Sequence, residues 1–572
     1  MDREKPLFQV GIDLGTTNTV MATCRPSKRN FFRPHVSKIY QYLYSRNMGY
    51  SDILPSVLFL DANAKAIVGE YAKYRKEQGM YKRILYNTKL DMGKKVHYEY
   101  DFTPVLAASE ILKVCYESIK LDLPHDQTFP DVVITVPASF TQSQIADTIT
   151  AAQLAGFQPS KITILEEPIA ALLYYINIQL LSAEEEIIDF RTKKRIMVYD
   201  IGGGTCDLCV VDMKIEEDES YTIKFIATNR YTEFGGNDFD EIASIGLLNK
   251  LFKKYNISEI DAKDTEIKNE LVSRLLPFCE QYKMWYTQQL KLKKNNDNIE
   301  NASYAYLDSF FDYKNVELDL SYKEFKEYTS VFFEDNYTHP TRNLTDKMRD
   351  KNVIKPVFQI LCYLKDKIKD NKQIDCIFLT GGMSEYNAIE NALKQFCNVP
   401  IIKTDEPMYA VALGASMYSY IKTERINSES LVNLKDENID VDYNRPKLAE
   451  SIFIDIENKL PLKIIDAEIT IPQAGSVEYK FKVSSGGAKF NLFAGMNEYD
   501  PEMRILYSYS IKFVNKRQES EYTIKQDGNS IVINSIHNGL DSPENKTYTI
   551  GLNEITSREI NNDFEDFILE FK

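Results

Sequence analysis

The sequence predicts an α/β protein of two related lobes facing each other across a cleft, followed by a smaller all-β module. Three observations predict it. First, one strand–turn–strand pattern occurs twice: Phe8 to Ala22 reads FQVGIDLGTTNTVMA and Ile196 to Val211 reads IMVYDIGGGTCDLCVV. Each copy is an apolar strand, an aspartate, a glycine-bearing tight turn with threonine, and a second apolar strand. Second, short apolar strands alternate with helical patterns between and after the two copies. Third, beyond about Lys422 the apolar period changes to 2, the period of half-buried strands.

The elements follow in order. Met1 to Leu7 is charged, carries no signal-peptide pattern and leads straight into the first hairpin. Pro130 to Pro137 (PDVVITVP) reads as a buried strand, Ser139 to Leu154 as a helix and Lys161 to Glu166 as a further strand. Pro168 suits the first turn of a helix continued by Ala170 to Leu181. Asn237 to Gln289 is helix-rich. Cys376 to Thr380 is a buried strand running into Gly381-Gly382, and Asn387 to Phe396 and Ala410 to Ile421 read as helices. Glu424 to Pro446 is polar and charged, as linkers are. From Ser451 the pattern is β: Val477, Tyr479, Phe481 and Val483 alternate with charged residues, as do Tyr507, Tyr509, Ile511 and Phe513 with polar ones. Gly486-Gly487, Asp527-Gly528 and Asn538-Gly539 are expected to turn between strands, and Asp563 to Lys572 forms a short amphipathic end. The expected boundaries are 1–423 for the two-lobed domain, 424–447 for a linker and 448–572 for the β module.

Bulk properties narrow the classes. A chain of 572 residues exceeds one core. Its 44% hydrophobic and 27% charged content describes a globular protein. A net charge of −15 argues against non-specific nucleic-acid binding. No stretch of about 18 uninterrupted apolar residues predicts a membrane span. Eight scattered cysteines, of which only Cys206 and Cys209 form a C-x-x-C, read as core thiols in a reducing cytoplasm.

The paired hairpins imply a specific chemistry. Gly15 is expected to take a turn conformation closed to other residues. Thr16, Thr17 and Asn18 then aim N–H and hydroxyl donors at one point, a cradle for phosphate oxygens. Asp13 stands close by, and carboxylate with phosphate requires a cation between them; Mg²⁺ suits hard oxygen ligands. Asp200, Gly202, Gly203, Gly204, Thr205 and Asp207 repeat the design, three glycines letting backbone approach the phosphates.

GIDLGTTN, ITVPASF, EEPIAALLYY, YDIGGGTCDL, FGGNDFD, CEQYKMWYT and LTGGMSEYNAI, in this order, resemble the signature of the DnaK (heat-shock-70) chaperone family over about Leu7 to Tyr420. Actin and the sugar kinases share the two hairpins; EEP-x-AA, GG-x-DFD and the later β module are similar to the DnaK chaperones in particular. The resemblance implies an actin-like ATPase domain of duplicated ribonuclease-H-like lobes, then a β-sandwich that binds polypeptide. It implies ATP/ADP and Mg²⁺ as ligands, ATP hydrolysis, a cytoplasmic setting, and co-chaperone and nucleotide-exchange partners. By motif position, Asp13, Asp200 and Asp207 would hold the Mg²⁺ water shell, one of the later two orienting the attacking water. Glu167 would be a further carboxylate there, and Lys89 in TKLDMGKKV the phosphate-contacting lysine. Gly202 to Thr205 would cradle phosphates with the first turn. Glu280, Lys283 and Thr287 would contact adenosine, and Gly235, Gly236, Gly381 and Gly382 would let backbone approach the nucleoside. Plainer readings stand beside these: Glu167 as an acid at a helix N-terminus, Lys89 on a solvated basic face with Lys94 and Lys95, and Glu280 with Lys283 as an i,i+3 surface pair.

The chain departs from the family pattern in places. Met284 and Glu385 stand where cationic side chains usually flank adenine. Pro137 is kept, but Ile145 replaces the arginine that follows it, Met408 replaces an aspartate after Pro407, and Asn438 to Val441 replaces the leucine-rich linker. These departures predict altered adenine stacking and coupling, and no helical lid is expected after the β module. The leading expectation is an ATP-driven chaperone-like protein; the alternative is an ATP-binding scaffold with weak hydrolysis and one dedicated partner.

Overall fold

The computed structural model describes residues 8–25, 33–77, 83–94, 96–124, 127–140, 142–181, 188–215, 221–228, 234–257, 265–292, 305–311, 313–334, 351–367 and 374–423, and then nine strands between residues 451 and 570. Two sheets carry the first part. In one, Ile162–Glu166, Val132–Val136 and Gln9–Leu14 run parallel, and Asn18–Cys24 and Pro34–Val36 continue antiparallel. In the other, Ile401–Ile402, Cys376–Thr380 and Lys194–Ile201 run parallel, and Cys206–Ile215 and Tyr221–Thr228 continue antiparallel. The two sheets therefore have one topology, and the repeated hairpin holds the same place in each.

Both hairpins form because their strands are apolar on both faces. Val10, Ile12, Ile196 and Tyr199 are fully buried, and each such side chain contributes roughly 1.5–3 kcal/mol. The register sets Asp13 beside Thr135 and Asp200 beside both Asp207 and Thr380. The strand ends thus carry Asp13 in one sheet and Asp200 with Asp207 in the other.

Two helices lie between the sheets. Glu167–Leu181 leaves the first sheet and packs on the second, with Ile169, Leu172 and Ile176 against Ile196, Val198 and Phe378. Ala410–Thr423 leaves the second sheet and packs on the first, with Ala412 and Leu413 against Val20 and Ala22. Two glycines make these crossings close. A Cβ on Gly11 would meet Ser416 N at 2.2 Å, and one on Gly414 would meet Ala170 O at 1.7 Å.

The helix expected over 387–396 is Asn387–Phe396. The one expected from Ser139 begins at Gln142, because Pro137 to Phe140 forms a turn closed by Phe140 N–H on Pro137 O at 3.0 Å. Several elements had local signals that the sequence reading did not use. Thr103 caps Pro104–Asp122, accepting from Leu106 N–H, with Pro104 in the first turn. Ser321 and Glu324 form a capping box on Tyr322–Thr329. Cys206 and Cys209 are free and fully buried; three apart on one strand, they point to opposite faces. Among the described residues no helix is long and apolar enough to cross a membrane.

Beyond the two lobes lie a five-stranded sheet, Leu462–Ile465, Ser451–Ile456, Ala488–Gly495, Arg504–Lys512 and Ile568–Glu570, and a four-stranded one, Glu478–Ser484, Glu519–Asp527, Ser530–Asn538 and Glu544–Gly551. Glu478–Ser484 and Ala488–Gly495 belong to different sheets. Tyr522 and Ile524 are buried on one face of their strand, in the expected period of 2. The linker at 424–447 lies outside the described residues, as do the turn glycines 486, 487, 528 and 539.

Candidate active site

The two hairpin turns meet at a cleft of about 710 Å³, counting its open mouth, between the sheets. Asp13, Gly15, Thr16, Thr17, Asn18, Lys89, Glu167, Asp200, Gly202, Gly203, Thr205, Asp207, Gly381 and Gly382 line it. The turns touch: a Cβ on Gly203 would lie 2.4 Å from Thr17 Oγ1, and one on Gly204 3.2 Å from Thr16 Cγ2. At Gly15 the turn is closed to other residues, as expected. The residue is not in the left-handed region; glycine is required because a Cβ would meet Asn18 O at 2.1 Å. Ser56 steadies the first turn, its hydroxyl donating to Gly15 O and its N–H to Thr17 O, both at 2.8 Å. The second turn is fixed by the start of Gly236–Lys254, where Gly236 N–H donates to Gly202 O at 3.0 Å and Asn237 N–H to Gly203 O at 2.6 Å.

The charges are unbalanced. Lys89 comes from the Thr88–Asp91 turn, is 8% exposed, and places Nζ 2.7 Å from Glu167 Oε1. It therefore does not lie on a solvated basic face; Lys94 pairs instead with Asp91 at 3.2 Å. Asp13, Asp200 and Asp207 add three carboxylates to this one pair. Burial, and next the charge of Glu167, push both Asp13 and Asp207 up to about 7. Asp200 is raised well above the carboxylate range by burial and then by Glu167, Asp13 and Asp207. Hydroxyls oppose the effect: Thr135 Oγ1 donates to Asp13 Oδ1 at 3.3 Å and Ser139 Oγ to Asp207 Oδ1 at 2.6 Å. Thr17 Oγ1 is buried with no hydrogen-bond partner. Excess hard oxygen ligands, a buried hydroxyl still to be satisfied and two backbone turns fit a polyanion accompanied by a hard divalent cation.

A pH dependence follows. A carboxyl raised in the folded state favours folding while protonated, and that contribution is lost as pH climbs through its folded value. The metal- and nucleotide-free protein should lose thermal stability between about pH 5 and pH 8, and millimolar Mg²⁺ should restore it at pH 8 far more than at pH 5. Scanning calorimetry checks this, with Asp13→Asn expected to flatten both trends.

Of the remaining expected residues, Gly381 and Gly382 lie on the lining, whereas Gly235, Gly236, Glu280, Lys283 and Thr287 sit around it. Gly381 lies at φ +83°, and a Cβ there would meet Asp200 Oδ1 at 2.3 Å. Gly235 is pressed against Gly202 O, which a Cβ would meet at 2.7 Å. Glu280 and Lys283 on Thr265–Leu292 do not pair with each other. Glu280 accepts from Lys73 Nζ at 2.8 Å, and Lys283 Nζ donates to Asp240 Oδ2 at 2.6 Å and Gly236 O at 2.8 Å. Thr287 Oγ1 donates to Lys283 O within its own helix. Met284 is exposed, and Glu385 is held by Lys291 at 2.7 Å. Pro407, Met408 and Val411 also line the cleft. The sequence reading did not single out Thr135, Ser139, Pro407 or Val411. The ITVPASF segment carries the first two, but their partners lie far away in sequence.

Duplicated sheets, two crossing helices and a carboxylate- and turn-lined cleft between them define an actin-like, two-lobed nucleotide-binding protein. The Hsp70 protein family model matches residues 61–442, well over half of the chain, and the chain belongs to the Hsp70 family. The family has the actin-like ATPase fold and a general ATP-binding, chaperone-type function; its members bind ATP/ADP with Mg²⁺ and act on polypeptides. The first hairpin precedes the matched span, so its place in the site rests on geometry alone.

Proposed function

We propose that this chain hydrolyses ATP in the cleft and couples the nucleotide state to polypeptide binding by the C-terminal β module. The observation that carries the reading is the convergence of both hairpin turns, Lys89 and four carboxylates on one cleft. The γ-phosphate would lie between the turns, held by the N–H and hydroxyl groups of Thr16, Thr17, Asn18 and Gly202 to Thr205. Lys89 would balance the charge of the transferred phosphoryl group, while Asp200, Asp207 or Glu167 orients the attacking water. Asp13, Asp200 and Asp207 would hold Mg²⁺ through water, and the ion would supply charge neutralisation between phosphates and carboxylates. Gly235, Gly236, Glu280, Lys283, Thr287, Gly381 and Gly382 would border the nucleoside. The proposed organisation is a nucleotide-binding domain over 1–423, a linker over 424–447 and a β-sandwich over 448–572, working in the cytoplasm with co-chaperone and exchange-factor partners.

Purified protein should hydrolyse ATP only with Mg²⁺, and Asp13→Ala and Thr205→Ala should each lower the rate at least about 100-fold. Equal, near-zero rates in all three would sink the hydrolytic reading. The alternative, an ATP-binding scaffold with weak hydrolysis and one dedicated partner, is favoured by Met284 and by the engagement of Glu385 with Lys291. Peptide affinity measured with ATP and with ADP separates the two: a nucleotide-independent affinity supports the scaffold.

A further inference from the structure

We propose that Ser139 is a positioning residue for Asp207, and that its hydrogen bond ties the carboxylate side of the cleft to lobe closure. The inference rests on the nucleotide site proposed above but concerns a residue outside it. Ser139 belongs to the first lobe, in the Pro137 to Phe140 turn that follows Val132–Val136; Asp207 belongs to the second lobe, on Cys206–Ile215. Ser139 Oγ donates to Asp207 Oδ1 at 2.6 Å, and the two residues are 6% and 5% exposed. A bond of this length to a buried carboxylate fixes the carboxylate's rotation about its own side chain. Asp207 still lines the cleft, so the fixed group is one that faces the ligand.

The same short segment reaches three charged groups of the cleft. Thr135 donates to Asp13 Oδ1 at 3.3 Å, Ser139 to Asp207, and the Phe140 ring lies 5.5 Å from Lys89 Nζ. The Thr135 and Lys89 contacts stay within the first lobe; the Ser139 bond crosses between lobes. Moving the lobes apart must break it and release Asp207. Ser139 would thereby make the orientation of Asp207 conditional on a closed cleft.

The test uses the full-length protein and three variants: Ser139→Ala, Ser139→Thr, which keeps the hydroxyl, and Ser139→Val, which matches threonine in shape without it. Two readouts are taken: kcat and KM for ATP hydrolysis, and the Mg²⁺ concentration giving half of the thermal shift in the presence of ADP. Ser139→Ala and Ser139→Val should raise the half-effective Mg²⁺ concentration about 10-fold and lower kcat to a similar degree, with KM for ATP nearly unchanged. Ser139→Thr should recover most of both. If Ser139→Ala keeps the wild-type Mg²⁺ dependence, or if Val behaves like Thr, the proposal is overturned, because shape and not the hydroxyl would then matter. If the wild type fails to hydrolyse ATP, the hydrolytic reading falls while the Mg²⁺ shift still decides the role of Ser139.

Discussion

Lys89→Met should reduce ATP hydrolysis by about 10²- to 10³-fold, the scale seen when one preorganised charge is removed from a phosphoryl-transfer site. It should also destabilise the nucleotide-free protein. Lys89 and Glu167 form a pair that is 8% and 11% exposed at the side chain, 2.7 Å apart. Removing the lysine leaves Glu167 buried beside Asp13, Asp200 and Asp207, and breaking such a pair costs roughly 3–5 kcal/mol. The two effects can be separated. Glu167→Gln added to Lys89→Met removes the stranded charge and should recover most of the stability, measured by urea unfolding, but none of the activity. A Lys89→Met protein with a wild-type kcat would show that this lysine serves the fold and not the phosphates.

The second large effect is expected far from the chemistry. Gly414→Val should lower the melting temperature by about 10 °C or more, the equivalent of several kcal/mol in a domain of this size. The added Cβ would meet Ala170 O at 1.7 Å and Ala170 C at 2.5 Å. Both are backbone atoms, so no rotamer change relieves the clash and the two helices must separate. Gly11→Ala should act similarly, against Ser416 N at 2.2 Å. Gly382→Ala is the control: its Cβ would find Met408 Cε at 3.6 Å, an ordinary contact, and stability should change by less than about 1 kcal/mol. Thermal unfolding of the three variants ranks them, and equal midpoints would refute the close-crossing account.

Some of this was legible in the sequence and some was not, for identifiable reasons. Asn387–Phe396 and Cys376–Thr380 match their sequence-based bounds, because local apolar periodicity defines them. The sequence predicts the helix after Pro137 three residues early, since the turn that displaces it is closed by its own backbone and by a distant aspartate. The need for glycine at Gly15 is legible in the sequence, and the structure supplies its cause: the approach of Asn18 O, at 2.1 Å from any Cβ there. Gly11 and Gly414 drew no attention, because one lies inside an apolar strand and the other inside a helix. Their need becomes visible only where two elements cross.

By itself the sequence determined the two hairpins and the kinds of group at their turns. Strand periodicity, glycine turns and the aspartates beside them act over a handful of residues, so the chain spells them out locally. The tertiary structure alone decided which of those groups meet. Lys89 finds Glu167, Ser139 finds Asp207, and Lys73 finds Glu280 across separations of 78, 68 and 207 residues. No local pattern encodes these distances. They follow from the packing of the two lobes, through two helices that each leave one sheet to pack on the other at a spacing that Gly11 and Gly414 permit.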